Sequence, residues 1–329
     1  MDESMRAVVI TEAGGPEVLR VRPVPLPEPG PGEVRVRVST SGVNRADLLQ
    51  RRGSYPVPEG WPEDIPGLEF AGTIAAMGDG VEEWAEGDRV MGITGGGGYA
   101  EAVRSPASTL VPIPDNLDLR HAGALPEAFM TAYDAVRLQE GLEEGETLLV
   151  HAVGSGVGTA ALQIARALGC RVIGTSRTPD KLERASHLGL EDPVPGDGGW
   201  PERVLELTDG RGVDVILDLV GAAYLEGNQK VLAPKGRHIV VGVPSGRTSR
   251  IDLRALMGTR GSIRGTVLRA RPVAEKVELA RAFREEVLPM LVSGTARPVV
   301  DRVFSPEDAG EAHRWMEENR NFGKLLLEW

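Results

Sequence analysis

Only one cysteine, Cys170, occurs in 329 residues. A lone thiol excludes an internal disulfide framework and any zinc site built from several cysteines. It sits in the apolar segment ALGCRVIG, where it reads as a buried structural thiol. Aromatic residues make up 4% of the chain, leaving few platforms for stacked bases. Positive charge is also scarce, with a formal net charge of −11. Both shortages argue against nucleic acid or an anionic membrane as a partner, and any bound anion must be held locally against the overall field. The histidines, His121, His151, His187, His238 and His313, are scattered, with no H-E-x-x-H pattern and no G-x-S-x-G elbow. The composition therefore supports neither a catalytic zinc nor a serine hydrolase. The longest uncharged run, Thr147 to Ala165, approaches membrane-spanning length, but its Gly-Ser-Gly interruption fits a strand, a turn and a helix better. No secretory pattern opens MDESMRAVVI, so the expectation is a cytoplasmic protein with no membrane partner.

What is present is the composition of a globular protein, 41% hydrophobic and 26% charged, at a length that suggests two domains. In EVRVRVSTSGV, Val34, Val36 and Val38 alternate with Glu33, Arg35 and Arg37, the period of a strand with one wet face. Pro/Gly clusters cut the rest of the first third into short strands and loops, predicting a β-barrel-like domain up to about Ala124. Strand and helix patterns then alternate: TLLVHA, GVGTAALQIARALG, RVIGTS, TPDKLERASHLG, WPERVLELTDG, VDVILDLVG and GRHIVVGV. That grammar predicts a doubly wound parallel sheet, whose ligand crevice lies at the carboxyl ends of its strands. After about Arg271 come a long amphipathic helix (AEKVELARAFREEVLPMLVSG) and a strand, helix and strand that return to the first domain. The expected division is 1–125 with 271–329, and 126–270.

Three stretches carry chemistry. In LLVHAVGSGVGTAAL, GVGTAA matches a permissive G-x-G-x-x-A fingerprint from Gly156, between a strand and a helix, where N–H groups attract a pyrophosphate. His151, at that strand's end, reads as a packed, hydrogen-bonded core histidine. The next strand ends at TSRTPDK without the carboxylate that usually accepts a ribose hydroxyl; Ser176, Arg177 and Lys181 suit a 2′-phosphate, favouring NADPH over NADH. In SGVNRADLLQRRGSYP, Asn44 reads as the N-cap of a helix running to about Arg52. Arg45 and Asp47 read equally as surface residues of its first turn. The Tyr55 phenol is either packing or a hydrogen-bond donor to a substrate oxygen.

The segments GVNRADLLQRRGSYP, PGLEFAGTI, EGDRV, ALPEAFMTAYDAV, HAVGSGVGTAALQIARALG and NFGKLLLE, in this order, resemble the zinc-independent quinone oxidoreductases of the medium-chain dehydrogenase/reductase superfamily. NRADLLQRRGSY, LPEAFMTAY, SGVGTAA and GSIRGTVLRAR are most similar to its tumour-suppressor-inducible branch. The resemblance implies an α/β protein with a GroES-like β-barrel catalytic domain and a Rossmann domain that binds NADPH, with an active cleft between them. It implies metal-free hydride transfer to a quinone or related conjugated carbonyl. Tyr55 would lie by the nicotinamide, with Asn44 and Thr131 in the same cleft and Tyr55 and Asn44 placing the acceptor. Ser155, Gly156 and Val157 would meet the pyrophosphate, and Ser176, Arg177 and Lys181 the 2′-phosphate. Gly221, Val241 and Gly242 would flank the ribose groups, and Val267 and Lys324 would complete the nicotinamide side. In this register Ala152, Ser155 and Gly158 take the three key turn positions. Arg177 departs from the branch, which prefers a small residue there. Zinc-dependent relatives carry a cysteine ligand near Asn44, so none is expected here. Members commonly form homodimers through the last Rossmann strand, here near SIRGTVL. Two other readings stay open: an enone or 2-enoyl thioester reductase on the same fold, and an NADPH-binding structural, sensing or RNA-binding protein.

Overall fold

A computed structural model describes residues 3–329. The chain divides into two units, each compact in itself. The first takes residues up to Met130, Leu268–Val292 and Pro298–Trp329; the second takes Thr131–Val267 and Ser293–Arg297.

The second unit is built on a six-stranded parallel sheet. Its strands, in chain order, are Thr147–Val150, Arg171–Ser176, Asp192–Pro195, Val213–Asp218, Leu232–Val240 and Ser262–Gly265. They lie side by side as third, second, first, fourth, fifth and sixth, the doubly wound order with its switch point beside the first strand. Thr147–Val150 and Val213–Asp218 are buried throughout, which is why they read as continuous apolar runs rather than alternating ones. The helix Gly156–Ala167 buries Ala160, Ala161, Leu162, Ile164 and Ala165. The strand Asp192–Pro195 was not visible as a strand in DPVP, because two prolines read as breakers. It lies at the sheet edge, where a missing N–H is tolerated.

The first unit holds a seven-stranded sheet and the antiparallel pair Ser4–Ile10 and Leu19–Pro25. Glu33–Val43 is its hub, pairing with Glu69–Met77, Ala102–Pro106 and Lys324–Glu328. The predicted alternation holds there: Val34, Val36 and Val38 are buried in a cluster with Phe70, Ile74, Val90 and Leu110, while Arg37 is exposed. The segment expected as one long helix is two, Val273–Glu286 and Leu288–Val292. Pro289 explains the break, since it cannot donate to the Glu285 carbonyl and its ring crowds that oxygen.

Candidate active site

In the second unit the first strand ends at Val150, and past His151 the chain reverses through Ala152, whose φ of 50° is the left-handed conformation usually left to glycine. Ser155 then caps the helix Gly156–Ala167, its Oγ accepting the Gly158 N–H at 3.1 Å. A Cβ on Gly158 would stand 2.5 Å from the Ala152 carbonyl oxygen, so only glycine lets helix and turn pack this closely. Ala152, Ser155 and Gly158 thus organise the turn, and Gly156 is simply the first helical residue. As first-turn residues, Gly156 and Val157 have N–H groups with no acceptor in their own helix, the arrangement a pyrophosphate needs.

The second strand ends at Ser176, buried, whose Oγ accepts the Thr178 N–H at 3.2 Å. Arg177 is exposed at the tip, and Lys181 lies in the first turn of the helix Pro179–Ser186. Gly196 passes so close that a Cβ on it would stand 3.2 Å from the Arg177 nitrogen. Its carbonyl accepts from the Tyr224 phenol at 2.8 Å.

A buried polar network braces the remaining strand ends. Asp218 Oδ1 accepts the N–H groups of Val220 and Gly221, both at 2.8 Å, and holds Gly221 at φ 88°. The Asp218 carbonyl accepts from Val241 at 2.9 Å and Gly242 at 3.3 Å. Its Oδ2 accepts from Asn228 Nδ2 and lies 3.1 Å from His238 Nε2. Burial opposes ionisation of Asp218, but His238, His151 and the two N–H groups outweigh it and hold the carboxyl below its usual range. His151 is fully buried, 2.8 Å from Thr175 Oγ1 and 2.6 Å from Asn228 Oδ1, with Trp200 and Tyr224 edge-on to its ring. Burial pushes it down to about 4, so it is the neutral core histidine expected. Thr131 is buried on the helix Pro126–Tyr133, and Val267 is 49% exposed.

The first unit brings Asn44 and Lys324 together. Lys324 Nζ donates to Asn44 Oδ1 at 2.6 Å, Glu69 Oε1 at 2.6 Å and the Val43 carbonyl at 3.0 Å. Asn44 Nδ2 donates to Glu69 Oε1 at 2.8 Å and the Gly42 carbonyl at 3.3 Å. Asn44 does start the helix Arg45–Arg51, with its backbone N–H on Asp47 Oδ2 at 2.8 Å.

Asp47 corrects one sequence expectation. It is fully buried rather than a surface residue of the first turn, because its carboxylate also accepts from Gly67 N–H at 3.2 Å and the Tyr99 phenol at 3.0 Å. Tyr99 in turn lies 3.2 Å from His313 Nε2, and Arg51 Nη1 lies 3.1 Å from His313 Nδ1. Arginine only donates, so Nδ1 accepts and the ring proton sits on Nε2, directed at Tyr99. Burial, then Arg51, pushes His313 down to about 3, while burial pushes Asp47 up to about 6. Arg45 is exposed, as expected, and bonds Asn319 Oδ1 at 2.9 Å.

Tyr55 is half-buried under the Arg269 guanidinium, which stands 5.2 Å from the ring centroid; burial raises the phenol's pKa, so it is protonated at neutral pH. Among the described residues no hydrogen bond joins Tyr55 to Asn44. Glu127 donates its backbone N–H to Glu69 Oε2 at 2.8 Å, and burial, then Glu69, pushes its own carboxyl up to about 8. Sequence reasoning missed Glu69, Tyr99, Glu127 and Arg269. Only Glu69 left a signal, as an acid inside the apolar strand LEFAGTI.

Among the described residues no group of three or more His, Cys, Asp or Glu is placed to hold a metal, and no helix is long and apolar enough to cross a membrane. Residues 30–115 match the alcohol dehydrogenase GroES-like domain family and residues 156–284 the zinc-binding dehydrogenase family. The chain is 35% identical to the quinone oxidoreductase of Pseudomonas aeruginosa, over 95% of this chain and 96% of that one. The solved structure of an NAD-dependent alcohol dehydrogenase superposes with a TM-score of 0.88 at 37% identity, covering 99% of this chain and 100% of that one. A mycobacterial protein solved as a complex with NADPH gives 0.87 at 31% identity, covering 99% and 100%. With a doubly wound parallel sheet, a GroES-like unit and relatives matched along nearly their whole length, the chain belongs to the quinone oxidoreductases of the medium-chain dehydrogenase/reductase superfamily.

Proposed function

We propose that the protein is an NADPH-dependent quinone oxidoreductase working without a metal, with 1–125 and 271–329 as its catalytic part and 126–270 as its cofactor-binding part. The observation that carries this reading is the strand end at Ser176: it offers a hydroxyl, Arg177 and Lys181, and no carboxylate, beside a turn shaped for a pyrophosphate. When bound, NADPH supplies a hydride; the chain's part is placement.

In this reading Ser155, Gly156 and Val157 hold the pyrophosphate, and Ser176, Arg177 and Lys181 the 2′-phosphate. Thr131, Gly221, Val241, Gly242 and Val267 line the riboside side. Tyr55, Asn44 and Lys324 serve the nicotinamide and the acceptor. Asn44 spends its amide N–H groups on Glu69 and Gly42, so it acts through the remaining lone pair of Oδ1, as an acceptor. That refines its role from a partner of the substrate oxygen to a cofactor-positioning group. Donation to the acceptor's oxygen falls to the Tyr55 phenol, which stays protonated. A quinone needs little of this help, because its ring stabilises the reduced oxyanion. An enone, or a 2-enoyl thioester, needs more.

The test is to follow NADPH and NADH oxidation against ortho-quinones, para-quinones and enones, with Tyr55→Phe alongside the parent. Expected are a preference for NADPH, turnover of quinones, and a small loss with quinones in the variant. Reduction of enones alone, with a large loss in Tyr55→Phe, moves the assignment to enone reduction. Equal use of the two nucleotides contradicts the role given to Arg177 and Lys181. A homodimer is part of the proposal: the edge strand Ser262–Gly265 is largely exposed, near Leu253 and Met257 at 67% and 77% exposure, a surface suited to a second copy.

A further inference from the structure

Tyr224 reaches from one strand end of the second unit to another. The chain leaves Val213–Asp218, passes Gly221 and makes one short turn, Ala222–Tyr224, that ends on this residue. The turn is tied down, with the Ala223 N–H donating to Ser245 Oγ at 3.0 Å and the Tyr224 N–H to the Gly221 carbonyl at 2.9 Å. The ring is fixed as well: His151 stands edge-on at 4.7 Å and Trp200 lies tilted against it at 5.2 Å. From this seat the phenol donates to the Gly196 carbonyl at 2.8 Å. Burial raises its pKa, so it remains a donor at neutral pH.

Gly196 opens the loop Gly-Asp-Gly-Gly, residues 196–199, between the strand Asp192–Pro195 and the helix Trp200–Leu207. Such a loop has little intrinsic order, because three of its four residues are glycine and lose the most conformational freedom when fixed. A Cβ on Gly198 would meet nothing within 4 Å, so the middle of the loop stands in open space. Tyr224 holds both of its ends, with the phenol on Gly196 and the ring against Trp200, the residue after Gly199. The Gly196 N–H donates to the Ser176 carbonyl at 2.7 Å. A Cβ on Gly196 would stand 2.8 Å from the phenol oxygen and 3.1 Å from the Ser176 carbonyl carbon. The clasp therefore sits directly against the strand tip that carries Ser176 and Arg177.

The loop also brings a charge to that tip. Asp197 is exposed, and its Oδ1 accepts the Gly199 N–H at 3.0 Å, which turns the carboxylate into its own loop. The Tyr224 phenol lies within charge range of both Arg177 and Asp197. A carboxylate brought up to a bound 2′-phosphate repels it, while one that meets a ribose hydroxyl accepts its hydrogen bond. Where the loop holds Asp197 thus decides how much of the Arg177 attraction a 2′-phosphate feels.

We propose that Tyr224 is a specificity-determining positioning residue: it clasps the 196–199 loop at both ends and so keeps the Asp197 carboxylate off the 2′-phosphate of NADPH. The inference rests on the NADPH reading and adds to it an indirect control of nucleotide choice, seated on a different strand end from Ser176 and Arg177.

Calorimetric titration with adenosine 2′,5′-bisphosphate and with adenosine 5′-monophosphate tests this without turnover. The two ligands differ only in the 2′-phosphate, so the ratio of their affinities reads the tip, whereas a general loosening of the unit moves both together. The parent should bind the bisphosphate about tenfold or more tighter. Tyr224→Phe should cut that ratio by about threefold or more, and adding Asp197→Asn to Tyr224→Phe should restore it. Asp197→Asn alone should shift the ratio by less than about twofold, since the clasp already holds the acid away. An unchanged ratio in Tyr224→Phe, even with both nucleotides weakened, overturns the proposal, and so does a loss that Asp197→Asn does not restore. A larger gain from Asp197→Asn alone would place the acid at the phosphate in the parent and overturn it as well. A parent that binds the two nucleotides equally overturns the NADPH reading and the clasp together, whereas a discriminating parent with an unchanged Tyr224→Phe overturns the clasp alone.

Discussion

Lys324 Nζ and Glu69 Oε1 stand 2.6 Å apart with side chains 5% and 0% exposed, and Asn44 is hydrogen-bonded to both. Such a pair contributes little net stability against an apolar replacement, but removing one partner strands the other charge. Lys324→Met should therefore lower unfolding stability by about 3–5 kcal/mol, read from denaturant midpoints. Lys324→Arg should not restore the parent, because three acceptors converging on one point suit an ammonium and not a planar fork.

Gly158→Ala puts a methyl 2.5 Å from the Ala152 oxygen and 2.7 Å from the Val153 oxygen, both backbone atoms that cannot swing aside. The expected cost is about 1–3 kcal/mol in stability, and NADPH binding weakened about tenfold or more by calorimetric titration. Ala152→Gly, at φ 50°, should be tolerated, since glycine adopts that conformation without strain. Equal binding by Gly158→Ala and the parent would remove the turn from the cofactor site.

Arg177 is exposed at the strand tip, so its replacement tests nucleotide choice without disturbing the core. Arg177→Asp should reduce the NADPH-to-NADH ratio of kcat/KM by roughly tenfold or more, through loss of one cation and repulsion of the 2′-phosphate. Arg177→Ala should have a smaller effect in the same direction.

His151 and His313 make the fold acid-sensitive. Both fall well below their unfolded value of 6.5, to about 4 and about 3, mainly because burial disfavours the charged ring. Between those values the unfolded chain binds more protons, so folding free energy drops as pH falls from about 6.5 towards 4, by about 1.4 kcal/mol per unit for each histidine. Urea titrations at stepped pH should show this decline, and His151→Gln should flatten it. A decline that begins only below pH 4 would contradict the assignment.

Cys170 is 7% exposed, its Sγ donates to the Glu143 carbonyl at 3.1 Å, and burial pushes the thiol up to about 11. A thiol-specific reagent should leave the native protein almost unmodified at pH 8 and titrate one group after denaturation. Fast native labelling would show this part of the second unit to be open.

Four of the six strands in the sheet of the second unit were legible because they are short apolar runs bounded by turns; Asp192–Pro195 was hidden by its prolines, and Ser262–Gly265 was reached only through the family resemblance. The turn at Ala152 was legible only through the family register, since the glycine pattern itself starts four residues late, at Gly156. Asp47 was misread as a surface residue because nothing local says that Tyr99 and His313, 52 residues from Asp47 and 214 from Tyr99 respectively, fold onto its helix start. Arg269 sits over Tyr55 through tertiary packing alone, and no periodicity encodes that. Polar residues joined across long separations are where single-sequence reading loses sight of a site. The apolar frame survives because it repeats locally.

The pairing of Lys324–Glu328 with Glu33–Val43 sets the timing of assembly. Lys324 donates to a carbonyl 281 residues earlier in the chain, and the whole parallel sheet of the second unit is encoded between these strands. During synthesis that sheet has all six strands before the last strand of the first unit exists. The closure joining Asn44, Glu69 and Lys324 is thus a late, high-contact-order event. Until then Glu69, on the strand Glu69–Met77, and Asn44, just past the strand Glu33–Val43, lack their ammonium, and Glu33–Val43 lacks its partner strand Lys324–Glu328.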